Sequence, residues 1–220
     1  LEFIDIPDDS KLISIGKYAF AETALKSIKI PDNLKELGEG WCQGTPYLNN
    51  IEVSTKNKYF QFTKEGFLLG KTEEEINHYD NLLFARRDIE EANIPSTIKR
   101  IFPYCFDLCR KLKTVIFPPD SNLLSIEKHS FSKSSIEYIT IPSQIIKIDE
   151  YSFYYCQNLA NIEFERDSEL TLIGNYAFSN SSIKNIRIPS HTKVIYERAF
   201  ECCKQLETIE IPDNSDLECI

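Results

Sequence analysis

Methionine is absent from all 220 residues, including position 1, so the chain is expected to be an internal piece of a longer protein. Glycine is scarce at seven residues, little material for a phosphate-cradling loop or a turn-rich enzyme. Cysteine is also present seven times, an odd number, and 42% hydrophobic content supplies a full core without bridges. A disulfide framework is therefore not expected. No apolar run approaches the roughly 18 residues of a membrane span, and no signal-peptide pattern opens the chain. Direct membrane insertion by this segment is not expected. Positive charge is in deficit: 25 Lys and Arg against 34 Asp and Glu give a net charge of −9. Nucleic acid and anionic membrane surfaces would require a basic face, so neither is an expected partner.

Chemistry-bearing signatures are missing too. Cys105 and Cys109 are too far apart for a C-x-x-C pair, and His78, His129 and His191 have no companions at ligand spacing. No nucleophile elbow or phosphate loop occurs. The run Gly38-Glu39-Gly40-Trp41-Cys42-Gln43-Gly44 only superficially matches a dinucleotide fingerprint, because its last glycine is one residue late and no helix follows. Catalytic residues, metal ligands and cofactors are not expected: the chain reads as a non-enzyme.

What the sequence does contain is repetition. An apolar-x-apolar phrase, usually closed by proline, recurs at Ile4–Pro7, Ile28–Pro31, Val115–Pro118, Ile139–Pro142, Ile186–Pro189 and Ile209–Pro212. Ile51–Ser54 and Ile162–Glu165 repeat it without the proline. Between copies lies a second block, Ile-x-x-x-Ala/Ser-Phe, as in Ile15–Phe20, Ile126–Phe131, Ile148–Phe153, Ile173–Phe178 and Ile195–Phe200. Long and short units alternate, with periods of 24 and 23 residues, so equivalent positions return every 47. Cys109, Cys156 and Cys203 obey that spacing, and Thr23, Thr45, Ser134 and Ser181 fill the same place in other units. Tyr18, Tyr104, Tyr151 and Tyr176 occupy another shared position and predict an aromatic ladder outside the turn.

Equal units returning to the same phrase can stack their short strands in parallel, about 4.8 Å apart. In Ile139-Thr140-Ile141 the two isoleucines are expected inside and the threonine exposed. A helix would need a sustained i, i+3, i+4, i+7 pattern, and none exists. The expected architecture is therefore mostly β, with about eight turns over residues 1–220 and one continuous parallel sheet. Between Ser54 and Pro95 the spacing is 41 residues instead of 24. A projecting β-hairpin is expected within about 55–88, bearing Phe60, Phe62 and Phe67 and tipped by Glu73-Glu74-Glu75. Leu1, Leu217 and Ile220 are anchor positions of incomplete turns, so both ends are expected to be cut within the array.

The motif C/S-x-(x)-L-x-x-I-x-I-P-x-x-I-x-x-I-x-x-x-A-F, seen locally in Cys203–Pro212 and Ile141–Phe153, resembles the BspA-like class of leucine-rich repeats. The resemblance covers essentially the whole chain. It implies an α/β-class leucine-rich-repeat solenoid with few or no regular helices. It further implies a cell-surface or secreted adhesion or antigen protein that binds a host or matrix protein. An intracellular scaffold region of a larger signalling or structural protein, hence a cytoplasmic one, is the alternative. Solenoids recognise partners on broad repeated faces. Here the outward strand positions are mostly charged, except at Ile116 and Thr140, flanked by Thr114 and Tyr138. With basic Lys113 and Arg187 around them, these six residues form the expected partner-binding patch. The hairpin aromatics are the rival site.

Overall fold

The computed structural model describes residues 1–220 and contains strands and turns but no helix. Two series of strands alternate along the chain. The first comprises β1 (Phe3–Ile4), β3 (Ser27–Ile30), β5 (Asn50–Val53), β9 (Glu91–Asn93), β11 (Thr114–Ile116), β13 (Tyr138–Ile141), β15 (Asn161–Phe164), β17 (Asn185–Arg187) and β19 (Thr208–Glu210). The second comprises β2 (Ser14–Ile15), β4 (Glu36–Leu37), β6 (Phe60–Phe62), β7 (Phe67–Gly70), β8 (Asn81–Ala85), β10 (Arg100–Ile101), β12 (Ser125–Ile126), β14 (Lys147–Ile148), β16 (Leu172–Ile173) and β18 (Val194–Ile195). Each turn of the solenoid thus crosses from one face to the other.

On the first face the register reproduces the alternating period. Thr114 pairs with Tyr138 and Asn161 with Asn185, 24 residues apart; Ile139 pairs with Ile162 and Ile186 with Ile209, 23 apart. The second face was not expected as a sheet at all. There Ile126, Ile148, Ile173 and Ile195 align rung upon rung in parallel pairs. Two-residue strands are too short to announce themselves by alternation, so only their neighbours reveal them.

The corners replace helices with left-handed backbone. Tyr18, Gly40, Tyr104, His129, Tyr151, Tyr176 and Arg198 all have φ between 54° and 62°, and a second left-handed residue follows four positions later in each turn. This conformation directs alternate amides toward the next turn. The Phe106, Phe131, Phe153 and Phe178 N–H groups donate to carbonyls of Ser130, Ser152, Ala177 and Ala199 at 2.6–2.8 Å. Below them the rings of Phe106, Phe131, Phe153, Phe178 and Phe200 stack at 4.7, 5.1, 5.3 and 5.5 Å. The thiols of Cys156 and Cys203 close the same corner, donating to the carbonyls of Phe131 and Phe178 at 3.0 and 3.1 Å. All seven cysteines are free. Burial pushes the Cys156 thiol up to about 12. Cys203, in the last full turn, is only half-buried.

Four expectations require correction. The first face is two sheets, β1-β3-β5 and β9-β11-β13-β15-β17-β19, so there are three and six rungs rather than one array of about eight. The interruption is the insert, and it does not project. Strands β6, β7 and β8 pair antiparallel and continue the second face through a parallel contact between β8 and β10. Every residue of β7 and β8 is buried. The insert is a wall between two cores: Leu68, Leu83 and Phe84 pack into the N-terminal cluster, while Phe67, Leu69 and Leu82 pack into the C-terminal one. Four consecutive apolar residues without alternation, Leu82 to Ala85, belong to a strand covered on both faces. Phe60 and Phe67 are therefore core residues and offer no exposed site. Glu73-Glu74-Glu75 stands in solvent as expected. Finally, Thr140 is half-buried, because the Tyr138 hydroxyl lies hydrogen-bonded against its Oγ1.

A buried cation ties the two halves together. Arg87 is 3% exposed; its Nη1 donates to the Cys105 carbonyl at 2.8 Å, and its guanidinium covers the Phe84 ring at 4.5 Å. Cys109 and Cys42 place their sulfurs 3.8 Å from its two terminal nitrogens, one from each half. Asp107, also buried, accepts the Gly44 N–H across the insert at 3.0 Å. Burial raises the Asp107 carboxyl, and the Arg87 charge opposes that rise.

Candidate protein-binding face

The outward positions of β9 to β19 form two columns, because alternate residues of parallel strands in register stand above one another. One column runs through Glu91, Thr114, Tyr138, Asn161, Asn185 and Thr208, and the other through Asn93, Ile116, Thr140, Glu163, Arg187 and Glu210. Thr114 and Tyr138 are direct register partners, and Thr140 stands opposite Glu163. Ile116 is 42% exposed and Tyr138 39%, so two large apolar side chains meet solvent on adjacent rungs. The Tyr138 hydroxyl also donates to Glu163 Oε2 at 3.2 Å. That bond ties the ring's hydroxyl end to the neighbouring rung.

Lys113 and Arg187 take opposite positions around this centre. Lys113 precedes β11 and lies 3.8 Å from Glu137. Arg187 pairs with Glu210 at 3.5 Å on the next rung. Both pairs are exposed and worth at most about 1 kcal/mol, so each cation can exchange its partner for one on a ligand. The strand of Glu163 separates Arg187 from Thr140. The patch is therefore an apolar centre with one basic flank near it and another two rungs away.

A feature that sequence reading missed adjoins Arg187. Glu163, Glu165, Asp167, Arg187 and His191 line a cleft of about 680 Å³ at the strand ends. His191 Nδ1 stands 3.0 Å from Asp216. The signal was available: the cleft opens where a long corner, Glu165 to Leu170, faces a short one, Pro189 to Thr192. Two extra residues leave the long corner standing proud of its neighbour.

The tyrosine ladder is the other outward feature. Tyr104, His129, Tyr151 and Tyr176 stack in sequence at 4.7, 4.6 and 4.8 Å. Arg198 continues the column over Tyr176 at 5.5 Å. His129 and Arg198 hold the same repeat position as the tyrosines, which counting residues of one type could not show. Burial lowers the His129 imidazole to about 4, with Lys128 and Lys133 adding to the effect. At Gly40 the column is empty, and the Tyr18 ring leans into the space: a Cβ there would lie 2.3 Å from it. Tyr18 thereby reaches Tyr104 edge-on at 6.2 Å, across the insert.

Short parallel strands, apolar residues at fixed offsets and turns of 23 or 24 residues define a leucine-rich-repeat solenoid. Residues 1–69 and 74–207 match the BspA type leucine rich repeat region, in six copies, and the chain belongs to that family. A leucine-rich repeat protein of Eubacterium ventriosum superposes with TM-score 0.78 at 21% identity, over 96% of this chain and 55% of its own. A leucine rich cell surface protein of Faecalibacterium prausnitzii gives 0.66 at 21% identity, over 100% and 59%. A leucine-rich repeat protein of Bacteroides ovatus gives 0.60 at 25% identity, over 99% and 59%. The chain thus spans little more than half the length of these structures. No curated protein matches it in sequence. No helix is long and apolar enough to cross a membrane.

Proposed function

We propose that this chain is a non-enzymatic protein-binding region of a cell-surface or secreted adhesion-type protein, and that its partner, a host or matrix protein, docks on the outward face of β11 and β13. The observation that carries this reading is the adjacent exposure of Ile116 and Tyr138 on a sheet held rigid from both sides. An aromatic and an aliphatic anchor inside a polar rim is the composition of a binding hot spot. Thr114 and Thr140 fill the space between the anchors, Lys113 and Arg187 supply the charged rim, and the cleft beyond Arg187 extends the contact. The name of the Faecalibacterium prausnitzii structure supports the surface location.

A second reading has its own support. Seven unpaired cysteines suit a reducing compartment, which favours an intracellular scaffold. Protease shaving of intact cells expressing the full-length protein separates the two, since only a surface protein is cut. For the docking face, the 220-residue chain is tested against immobilised matrix proteins, with Ile116→Glu and Tyr138→Ala as variants. Loss of an anchor is expected to weaken binding by about 2 kcal/mol, roughly thirtyfold. Unchanged affinity in both folded variants would place the partner elsewhere.

A further inference from the structure

We infer that the solenoid carries a second, independent site, at the edge formed by the left-handed corners, for an acidic saccharide. Arg110, Lys133, Ser135, Tyr155, Gln157 and Asn158 line a surface cavity of about 310 Å³. They come from three successive turns held in register by the corner hydrogen bonds. The Lys133 N–H donates to the Tyr154 carbonyl at 2.7 Å, and the Ser135 N–H donates to the Cys109 carbonyl, next to Arg110, at 3.2 Å. Lys133 and Tyr155 occupy the same left-handed corner position in successive turns, with φ of 57° and 59°, and both side chains are exposed.

The cavity differs from the surrounding surface in what its polar groups do. Nearby Lys113 and Lys128 are paired with Glu137 and Glu150 at 3.8 and 3.1 Å. Arg110 and Lys133 have no carboxylate within reach, although acidic residues outnumber basic ones by nine in the whole chain. Asp107, whose charge Lys133 feels, is buried and occupied by the Gly44 amide. The side chains of Ser135, Tyr155, Gln157 and Asn158 likewise make no hydrogen bond within the protein; Gln157 uses only its backbone carbonyl, for Ser182. Two unneutralised cations, one a planar fork, suit a carboxylate or sulfate. Amide and hydroxyl groups that donate and accept suit sugar hydroxyls. The Tyr155 ring, 40% exposed, supplies an apolar face for the ring carbons. The volume lies at the lower limit of small-molecule sites, about 300–1,000 Å³, which fits one terminal sugar residue and not a protein segment.

Isothermal titration of the 220-residue chain with sialyllactose, lactose 3′-sulfate and lactose tests the assignment. Saturable binding of at least one acidic sugar is expected, with lactose at least about tenfold weaker. Binding only to the first identifies a carboxylate ligand, and only to the second a sulfate. Raising salt from about 0.05 to 0.5 M should weaken the complex, because exposed charges are screened. Arg110→Gln with Lys133→Gln should lower affinity at least about tenfold, and Tyr155→Asn, which accepts the left-handed backbone, should lower it as well. Ile116→Glu should leave it unchanged, so this site and the strand face fail separately. Absence of saturable binding of either acidic sugar at about 5 mM, equal binding of lactose, or undiminished binding by the folded double variant would overturn the inference. So would preference for an acidic peptide over both sugars.

Discussion

At the residue scale the repeat tolerates chemistry that a helix or an ordinary strand would reject. Seven different turns place a left-handed residue at the same corner, and only one of those residues is glycine. Each non-glycine there costs on the order of 1 kcal/mol of backbone strain, offset by stacking of its side chain on the neighbouring rung. His129 shows the consequence for pH. Its folded-state value is depressed to about 4, by burial first and by Lys128 and Lys133 next. The unfolded chain titrates near 6.5 and binds the proton first as pH falls. The contribution of His129 is therefore complete above about pH 6.5 and is lost progressively down to about pH 4. Allowing for the exposed edge of the ring, the loss should reach about 2 kcal/mol. His129→Tyr, matching the residue on either side, should flatten this part of the stability profile in urea titrations between pH 7 and 4. An identical slope in the variant would show that other groups carry it.

At the element scale the insert and Arg87 decide how the two halves meet. Leu68 and Leu69 face different cores, so the strands of the insert cannot be removed without opening both. Arg87 is held by carbonyls, a ring face and two sulfurs, with Asp107 as the buried opposite charge. Arg87→Leu should destabilise by about 1–3 kcal/mol for each buried carbonyl left without its donor, and further because Asp107 loses the favourable field of that charge. Adding Asp107→Asn should recover part of that loss. Chemical denaturation of the single and double variants measures both. Strict additivity would mean that the two charges do not communicate.

For the whole molecule, stability should be graded along the axis, because each turn is buried only by its neighbours. The isoleucines of β13 are fully buried, whereas β19 is exposed throughout and Phe3 of β1 is also in solvent. Hydrogen exchange on the 220-residue chain should be slowest in β13 and β15 and fastest in β1 and β19. Uniform protection would show that the end turns are held by something other than stacking.

Much of this was readable from residue order alone. Ile139 and Ile141 point inward, the 24/23 alternation sets the register, and the 41-residue gap marks the insert, because a stacked turn cannot change length without shifting every anchor after it. Cys156 and Cys203 recur at the position that Thr and Ser fill in other units, and their thiols meet backbone carbonyls there. Periodicity, however, describes what one turn shares with the next. It says nothing about contacts made once. The burial of the insert between two cores, the capture of Arg87 by residues from both halves, and the gathering of Arg110, Lys133 and Tyr155 around one cavity join unlike positions of different turns. Residue order determined the repeat; only folding decided these junctions, since they depend on which side chains the stacking brings within reach.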